Sequence, residues 1–358
     1  MAILEKLTNL IKNLFSSSAS EMESSDSGID PINTDGYDWI PDWQKILGED
    51  WDRWRKIAAS PKTGPKVLIS TMVGGNSSLT PLETIFGVAL SLRGAEVHFA
   101  LCDKKLAACQ NCFAESPESQ LSFIKNGPDK CDWCFDVGMR SLSQLGLPVH
   151  LYGEYAEEED WEFAEGVVKN ITIEELFNYE ADGISHKETV RSAVLRYFGR
   201  CDLENEEHLL PVAKRYLKAS IVTNKVLEKL YEKYRFDHTV SNQAIYVPQA
   251  NVVSVAKKYN SHVVAYDIGY RQNCINICHN DTHLYAHINE PDENWENLPW
   301  NEKMEERIND YLRGRWSGKY DWLKVITEGE DTPPSEILDE LGIDKNKPVV
   351  GMLTNVLW

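Results

Sequence analysis

The chain has 358 residues, enough for about two domains, and its 42% hydrophobic and 26% charged content supports an ordinary globular core. Lys and Arg number 37 against 56 Asp and Glu, a formal net charge of −19, which argues against a broad basic surface and so against nucleic acid as the main partner. No apolar run reaches the roughly 18–20 residues that cross a bilayer.

In residues 1–15, Ile3, Leu4, Leu7, Leu10, Ile11, Leu14 and Phe15 recur at three- and four-residue steps, which predicts an amphipathic helix. A secretory signal would need an unbroken apolar core and a small-residue cleavage site, and neither is present. The helix can pack on its own domain or rest on a membrane surface. Residues 16–36 begin with a Ser/Glu-rich stretch and read as a flexible linker, which favours a peripheral anchor at the inner face of the membrane for a cytoplasmic protein. Residues 37–62 carry Trp39, Trp43, Trp51 and Trp54. Tryptophans at that spacing point to a helical extension packed on the next domain, with sugar stacking as the alternative.

Residues 63–288 read as one α/β domain. Lys66–Val73 is a short apolar run ended by Gly74-Gly75-Asn76. A helix follows, with Thr80 as expected N-cap, Pro81 in the first turn and Glu83 closing a capping box. After Arg93-Gly94 comes a second strand, Ala95–Cys102. Strand, glycine turn, helix and strand form a βαβ unit, which predicts a parallel sheet with flanking helices. The turn is not the G-x-G-x-x-G fingerprint of dinucleotide sites. Its backbone N–H groups at a helix start suit an anionic or hydroxyl-rich ligand, so Gly74, Gly75 and Asn76 are candidate binding residues; a tight turn without a ligand is the alternative.

Cys109-Gln-Asn-Cys112 and Cys131-Asp-Trp-Cys134 are two C-x2-C pairs, and their separation falls within the window of about 15–20 residues typical of four-thiolate zinc sites. This predicts a four-cysteine metal knuckle inserted at 103–135, holding down a polar loop over Ala114–Lys130. With four protein ligands the zinc would be structural. An iron–sulfur cluster is the runner-up; two disulfides are disfavoured without a secretory signal, and unrelated thiols remain open. Cys102, Cys201, Cys274 and Cys278 lack the paired spacing and read as core thiols.

Further on, Phe135–Leu145 reads as a helix, Val149–Tyr152 as part of a strand, and His208–Tyr234 as a long helix with an apolar stripe. A second βαβ unit runs from Phe236 through the helix at Asn251–Tyr259 to the strand His262–Asp267. Asn242, Tyr270 and Arg271 fall in the loops after its strands, where open parallel sheets bind ligands. Cys278-His-Asn-Asp-Thr-His283 is the densest patch of acid/base types, with Asp281 and His283 as candidate base and partner; a polar loop or a metal site would give the same pattern. Residues 289–346 read as a helical connector, and 347–358 as one further strand.

The cysteine pairs, the helix after them and the strand Leu145-Gly-Leu-Pro-Val149 resemble the N-terminal half of bacterial capsule or surface-polysaccharide biosynthesis proteins, a glycosyltransferase-like family of GT-B architecture. The likeness continues at Ser91-Leu-Arg-Gly-Ala-Glu-Val97, where Ala95 stands in place of the usual His. It extends to Asn242–Gln249, Val263–Arg271 and Lys347–Trp358, the last resembling the opening strand of the donor-binding domain. The resemblance implies a Rossmann-like domain on the acceptor side of a glycosyltransferase. Such a protein takes a nucleotide-sugar as donor and a glycan or lipid-linked acceptor, with Asp281, His283 or Glu83 as base and Arg271 near the leaving diphosphate. The contrasting reading is a non-catalytic, zinc-stabilised α/β binding or scaffold module.

Overall fold

A computed structural model describes Lys6 and residues 39–269, 271, 274–282, 291, 293–296, 298–315, 338, 339, 341–344 and 347. The helix read at 1–15 (Lys6 apart), the linker at 16–36, Tyr270, His283 and the strand read at 347–358 (Lys347 apart) lie outside the described residues.

Two short helices, α1 (Trp43–Leu47) and α2 (Trp51–Ala59), precede the sheet. Trp43 and Trp54 are fully buried, and the Trp54 indole N–H donates to the carbonyl of Leu145 at 3.2 Å. The central sheet then forms from β1 (Lys66–Met72), β2 (Glu96–Leu101), β3 (Val149–Leu151), β6 (His238–Asn242), β7 (His262–Ile268) and β8 (Ile275–His279). The strand order is β3-β2-β1-β6-β7-β8. Every neighbouring pair is parallel except β7 and β8, which run antiparallel. The remaining strands, β4 (Glu180–Ala181) and β5 (Ile184–Ser185), form a separate two-stranded ribbon.

The chain leaves β1 toward β2 and β3 on one side and enters β6 and β7 on the other. The boundary between β1 and β6 is therefore the topological switch point, where connections diverge and leave a crevice at the carboxyl ends of the strands.

Alternation along β1 divides the core. Val67 and Ile69 pack with α3 (Leu79–Leu92) and α5 (Cys131–Ser143), whose apolar residues join the buried tryptophans. Leu68 and Met72 face the opposite layer, built on α9 (Leu209–Tyr234) with α6 (Glu158–Lys169), α8 (Lys187–Phe198) and α10 (Gln249–Lys258). At about 1.5 Å per residue, the 26 residues of α9 span about 39 Å. Two smaller helices, α4 (Pro117–Asn126) and α7 (Ile173–Phe177), lie in this layer, and α11 (Glu293–Glu296) and α12 (Glu302–Arg315) follow the sheet. Among the described residues, no helix is long and apolar enough to cross a membrane.

Two local expectations are corrected. The polar loop at Ala114–Lys130 contains α4, begun by a reciprocal cap between Ser116 and Ser119. Phe123 anchors it under the Tyr197 ring at 4.7 Å, and Arg215 donates to the Ile124 carbonyl at 2.8 Å. One aromatic in a polar stretch supplies enough buried area to fix a short helix. The start of α3 also differs. The helix begins at Leu79, and the Asn76 side-chain carbonyl accepts the N–H groups of Ser78 and Leu79. Thr80 is thus inside the helix, its hydroxyl donating to the Gly74 carbonyl at 2.8 Å, and Glu83 closes no capping box.

Candidate functional site

At the switch point both central strands end in strained backbone. Met72 closes β1 at φ 51°, and Gln243 and Ala244 follow β6 at φ 50° and 63°. Residues with a Cβ rarely adopt that region, and such strain gathers at functional positions. In each turn a backbone N–H folds back across two residues, Val73 to the Thr71 carbonyl and Ala244 to that of Asn242. Asn242 is 2% exposed; its amide donates to the Tyr266 carbonyl at 3.3 Å, while its side-chain oxygen has no partner among the described residues.

Beneath this end, on the α3 face, lies Glu83, 2% exposed. The Tyr266 hydroxyl, from β7, donates to its carboxylate at 2.7 Å. Burial raises its pKa to about 7, against the opposing pull of the Tyr266 and Thr71 hydroxyls. Tyr266 is in turn held edge-on by Phe86 at 5.2 Å. A carboxyl poised near neutrality can both accept and donate a proton at physiological pH.

On the other side of β1 the same sheet end opens into two adjoining thiol-lined pockets, of about 30 and 20 Å³. One lobe is lined by Cys109, Cys112, Cys131 and Cys134, the other by Met72, Val73, Cys102, Cys109, Cys131 and Cys134. The consecutive residues Thr71 and Met72 thus serve different chambers, one beside the buried acid and one beside the sulfurs. Cys131 and Cys134 sit in the first turn of α5, not in a loop knuckle. Burial raises Cys102 to about 11 and Cys131 and Cys134 to about 12; hydrogen bonding to Cys112, together with burial, holds Cys109 well above the usual thiol range. At neutral pH these groups are thiols, and a metal would displace their protons on binding.

The glycines expected to cradle an anion serve this cavity instead. The Gly75 N–H donates to the Cys134 sulfur at 3.2 Å, and the Asn76 N–H donates to the Gly74 carbonyl at 3.0 Å. A Cβ on Gly74 would fall 2.5 Å from Gly138 Cα, and one on Gly75 2.4 Å from the Trp133 ring. Glycine is required here because the β1–α3 turn presses directly on α5. The N–H groups of Gly75, Asn76, Ser78 and Leu79 are thus engaged by Cys134 or within the turn itself.

The other sequence candidates scatter. Arg271 is exposed in the β7–β8 turn, its guanidinium over the Tyr311 ring at 5.3 Å. Asp281 follows β8, accepting the Thr282 N–H at 2.8 Å. Because β8 runs antiparallel, its end lies by the start of β7, where the Asn280 N–H donates to the Val263 carbonyl. Asp281 and Glu83 are therefore at opposite ends of the sheet, and the expected partner of Asp281, His283, lies outside the described residues. The expected four-cysteine set is altered too. Among the described residues, no three His, Cys, Asp or Glu side chains are placed to share a single ion. Cys102, read as a core thiol, joins the cavity because β2 ends beside β1; Cys201, also read as core, is exposed.

No family model and no curated protein matches the chain. A solved structure described as that of a CDPS from Fluoribacter dumoffii is similar over 63% of this chain and 94% of its own, with 10% sequence identity and a TM-score of 0.34. A likeness of that size carries no inference about activity.

Proposed function

We propose that this chain is the acceptor-side half of a GT-B-type glycosyltransferase of surface or capsular polysaccharide assembly, with Glu83 as the acid/base group. The sequence resemblance supplies the reaction class. The observation that carries the assignment of Glu83 is a buried carboxyl with a pKa of about 7 at the carboxyl end of a parallel sheet, beside strained strand ends. In the proposed step Glu83 takes the proton of an acceptor hydroxyl. That oxygen bonds to the anomeric carbon of the donor sugar, and the carbon–oxygen bond to the nucleoside diphosphate breaks. Tyr266 holds the carboxylate in place, and the unpartnered Asn242 oxygen suits a sugar hydroxyl. The cysteine-lined insertion then holds a metal group in a structural role, tying Cys102 through Cys134 to the sheet.

The test is transfer or hydrolysis by the purified chain across a panel of nucleotide-sugars, with and without glycan and lipid-linked acceptors. Glu83→Gln should lower any turnover by about 100-fold or more. Unchanged turnover in that variant removes Glu83 from the reaction. The enclosure of Glu83, at 2% exposure, favours the second reading, a non-catalytic metal-stabilised module. Absence of nucleotide-sugar binding and turnover, with a metal still bound, would select it.

A further inference from the structure

We propose that Arg196 is the binding residue of a phosphoryl-anion site at the carboxyl end of the sheet, its guanidinium seated on Phe113 and Tyr246. The site goes beyond the transferase reading, because it rests on the packing and charge around one side chain and on no reaction.

The three side chains come from distant segments, each fixed by its own backbone. Arg196 lies in the last turn of α8, which Gly199 closes at φ 61°. The Gly199 and Arg200 N–H groups donate to the carbonyls of Arg196 at 3.1 Å and Leu195 at 3.2 Å, so backbone rather than the guanidinium satisfies this helix end. Phe113 follows the Cys109–Cys112 turn, whose Cys109 carbonyl accepts the Tyr216 hydroxyl at 3.2 Å. The next residue, Ala114, donates its N–H to the Tyr197 carbonyl at 2.9 Å. Tyr246, 7% exposed, stands in the β6–α10 connection after the strained pair Gln243 and Ala244, where the crevice between β1 and β6 opens.

The guanidinium carbon of Arg196 lies over the Phe113 ring at 4.2 Å and over the Tyr246 ring at 5.1 Å. Rings engage the face of this planar group and leave the N–H donors in its plane free for an acceptor. Among the described residues, no carboxylate or carbonyl accepts from them. The ionisable groups around Arg196 are the hydroxyls of Tyr246 and Tyr216 and the thiols of Cys109 and Cys112.

Arg215 shows the contrast. It has a similar aromatic seat, 5.5 Å from the Phe123 ring, but donates to the carbonyls of Ile124 at 2.8 Å and Ala107 at 3.5 Å. Arg215 is a brace, whereas Arg196 has the seat without the acceptor. A partly buried cation is costly until a counter-charge meets it, and here that charge comes from outside the chain. A phosphoryl group suits it best. Its oxygens accept two parallel N–H bonds from a guanidinium, and its higher charge gains more from an unneutralised cation than a carboxylate does. In a chain of net charge −19, such a local cation gives an anion a place to dock.

The experiment is isothermal titration of the full chain, at low ionic strength, with inorganic phosphate, pyrophosphate, uridine diphosphate and acetate. The phosphoryl ligands are expected to bind, and Arg196→Gln should weaken them by more than about tenfold. Arg196→Lys should weaken them nearly as much, because an ammonium lacks the planar fork. Arg191→Gln, at an exposed position on the same helix, should stay within about twofold. Circular dichroism checks that each variant folds. Phenylglyoxal labelling of the native chain, mapped by mass spectrometry, reads the site without a substitution: pyrophosphate should protect Arg196 and leave Arg191 reactive. Uridine diphosphate binding more tightly than pyrophosphate assigns the phosphoryl group to a nucleotide, and equal affinity assigns it to a free anion; both uphold the site. Acetate binding as tightly as phosphate overturns the phosphoryl class. No binding, or binding that neither depends on Arg196 nor protects it, overturns the site. Phosphoryl binding with no turnover of any nucleotide-sugar upholds the site while counting against the transferase reading.

Discussion

The two chambers at the carboxyl end of the sheet, separated by the width of β1, handle buried polarity in opposite ways. The Glu83 chamber is closed: one carboxyl, hydrogen-bonded by Tyr266 and packed beneath Phe86 and Tyr266, with burial itself as the main influence on its charge. The thiol chamber gathers five cysteines around two small pockets, where burial raises the thiols and the Gly75 N–H donates to Cys134. Burial brings a lone hydrogen-bonded acid close to neutrality, while the same burial around clustered sulfurs leaves them far from ionisation at neutral pH.

The comparison can be broken at several points. The largest effect is expected from Phe123→Ala, which removes the aromatic that seats α4 under Tyr197 and Tyr216. It should cost about 4 kcal/mol, read by urea denaturation. The loss should be similar with and without a chelator, because this segment carries its own core; a loss that vanishes on metal removal would show that the thiol site alone holds the segment.

Glu83→Gln sharpens the other chamber. The folded-state pKa of about 7 lies above the ordinary value of 4.5, so the buried acid contributes stability below about pH 4.5, and this contribution falls away as pH rises through 7. The native chain should lose roughly 3 kcal/mol across that window, and the variant should lack that component. Superimposable stability–pH curves for the two proteins would deny the shift. A smaller change, about 1–2 kcal/mol, is expected for Tyr266→Phe, which removes the hydroxyl donor to Glu83. The midpoint of the pH-dependent loss should move upward, because that bond favours the ionised carboxyl; a downward move would reverse the assigned role of Tyr266. Smallest is Ser116→Ala at the α4 cap, about 1 kcal/mol, measured as a drop in Tm with α5 amide exchange unchanged.

The elements were legible where the signal is local. Apolar runs and the glycine turn mark β1 and β2, and the apolar stripe from Leu209 to Tyr231 marks α9. The thiol site was legible in the spacing of Cys109, Cys112, Cys131 and Cys134, which line one pocket, and its neighbour Cys102 was missed. Cys102 has no nearby Cys partner in sequence, yet hydrogen-bonded pairing of β1 with β2 brings it to the Cys109 side of the cavity. Glu83 was singled out for a capping pattern that it does not complete. Its raised pKa comes from burial, opposed by the hydroxyl of Tyr266, 183 residues away, and no local motif encodes either. Asp281 drew attention as part of a His/Asp patch, and the antiparallel run of β8 carried Asp281 to the far end.

Composition, periodicity and turn chemistry by themselves thus determined an acidic α/β chain with two βαβ units and a cysteine-rich excursion, because helix and strand patterns and C-x2-C spacing act over a few residues. Only tertiary structure decided which sulfurs share a cavity and which carboxyl is desolvated. Burial and thiol convergence are set by strand order and helix packing across distant segments, and these fix the dielectric surroundings and neighbours of each group.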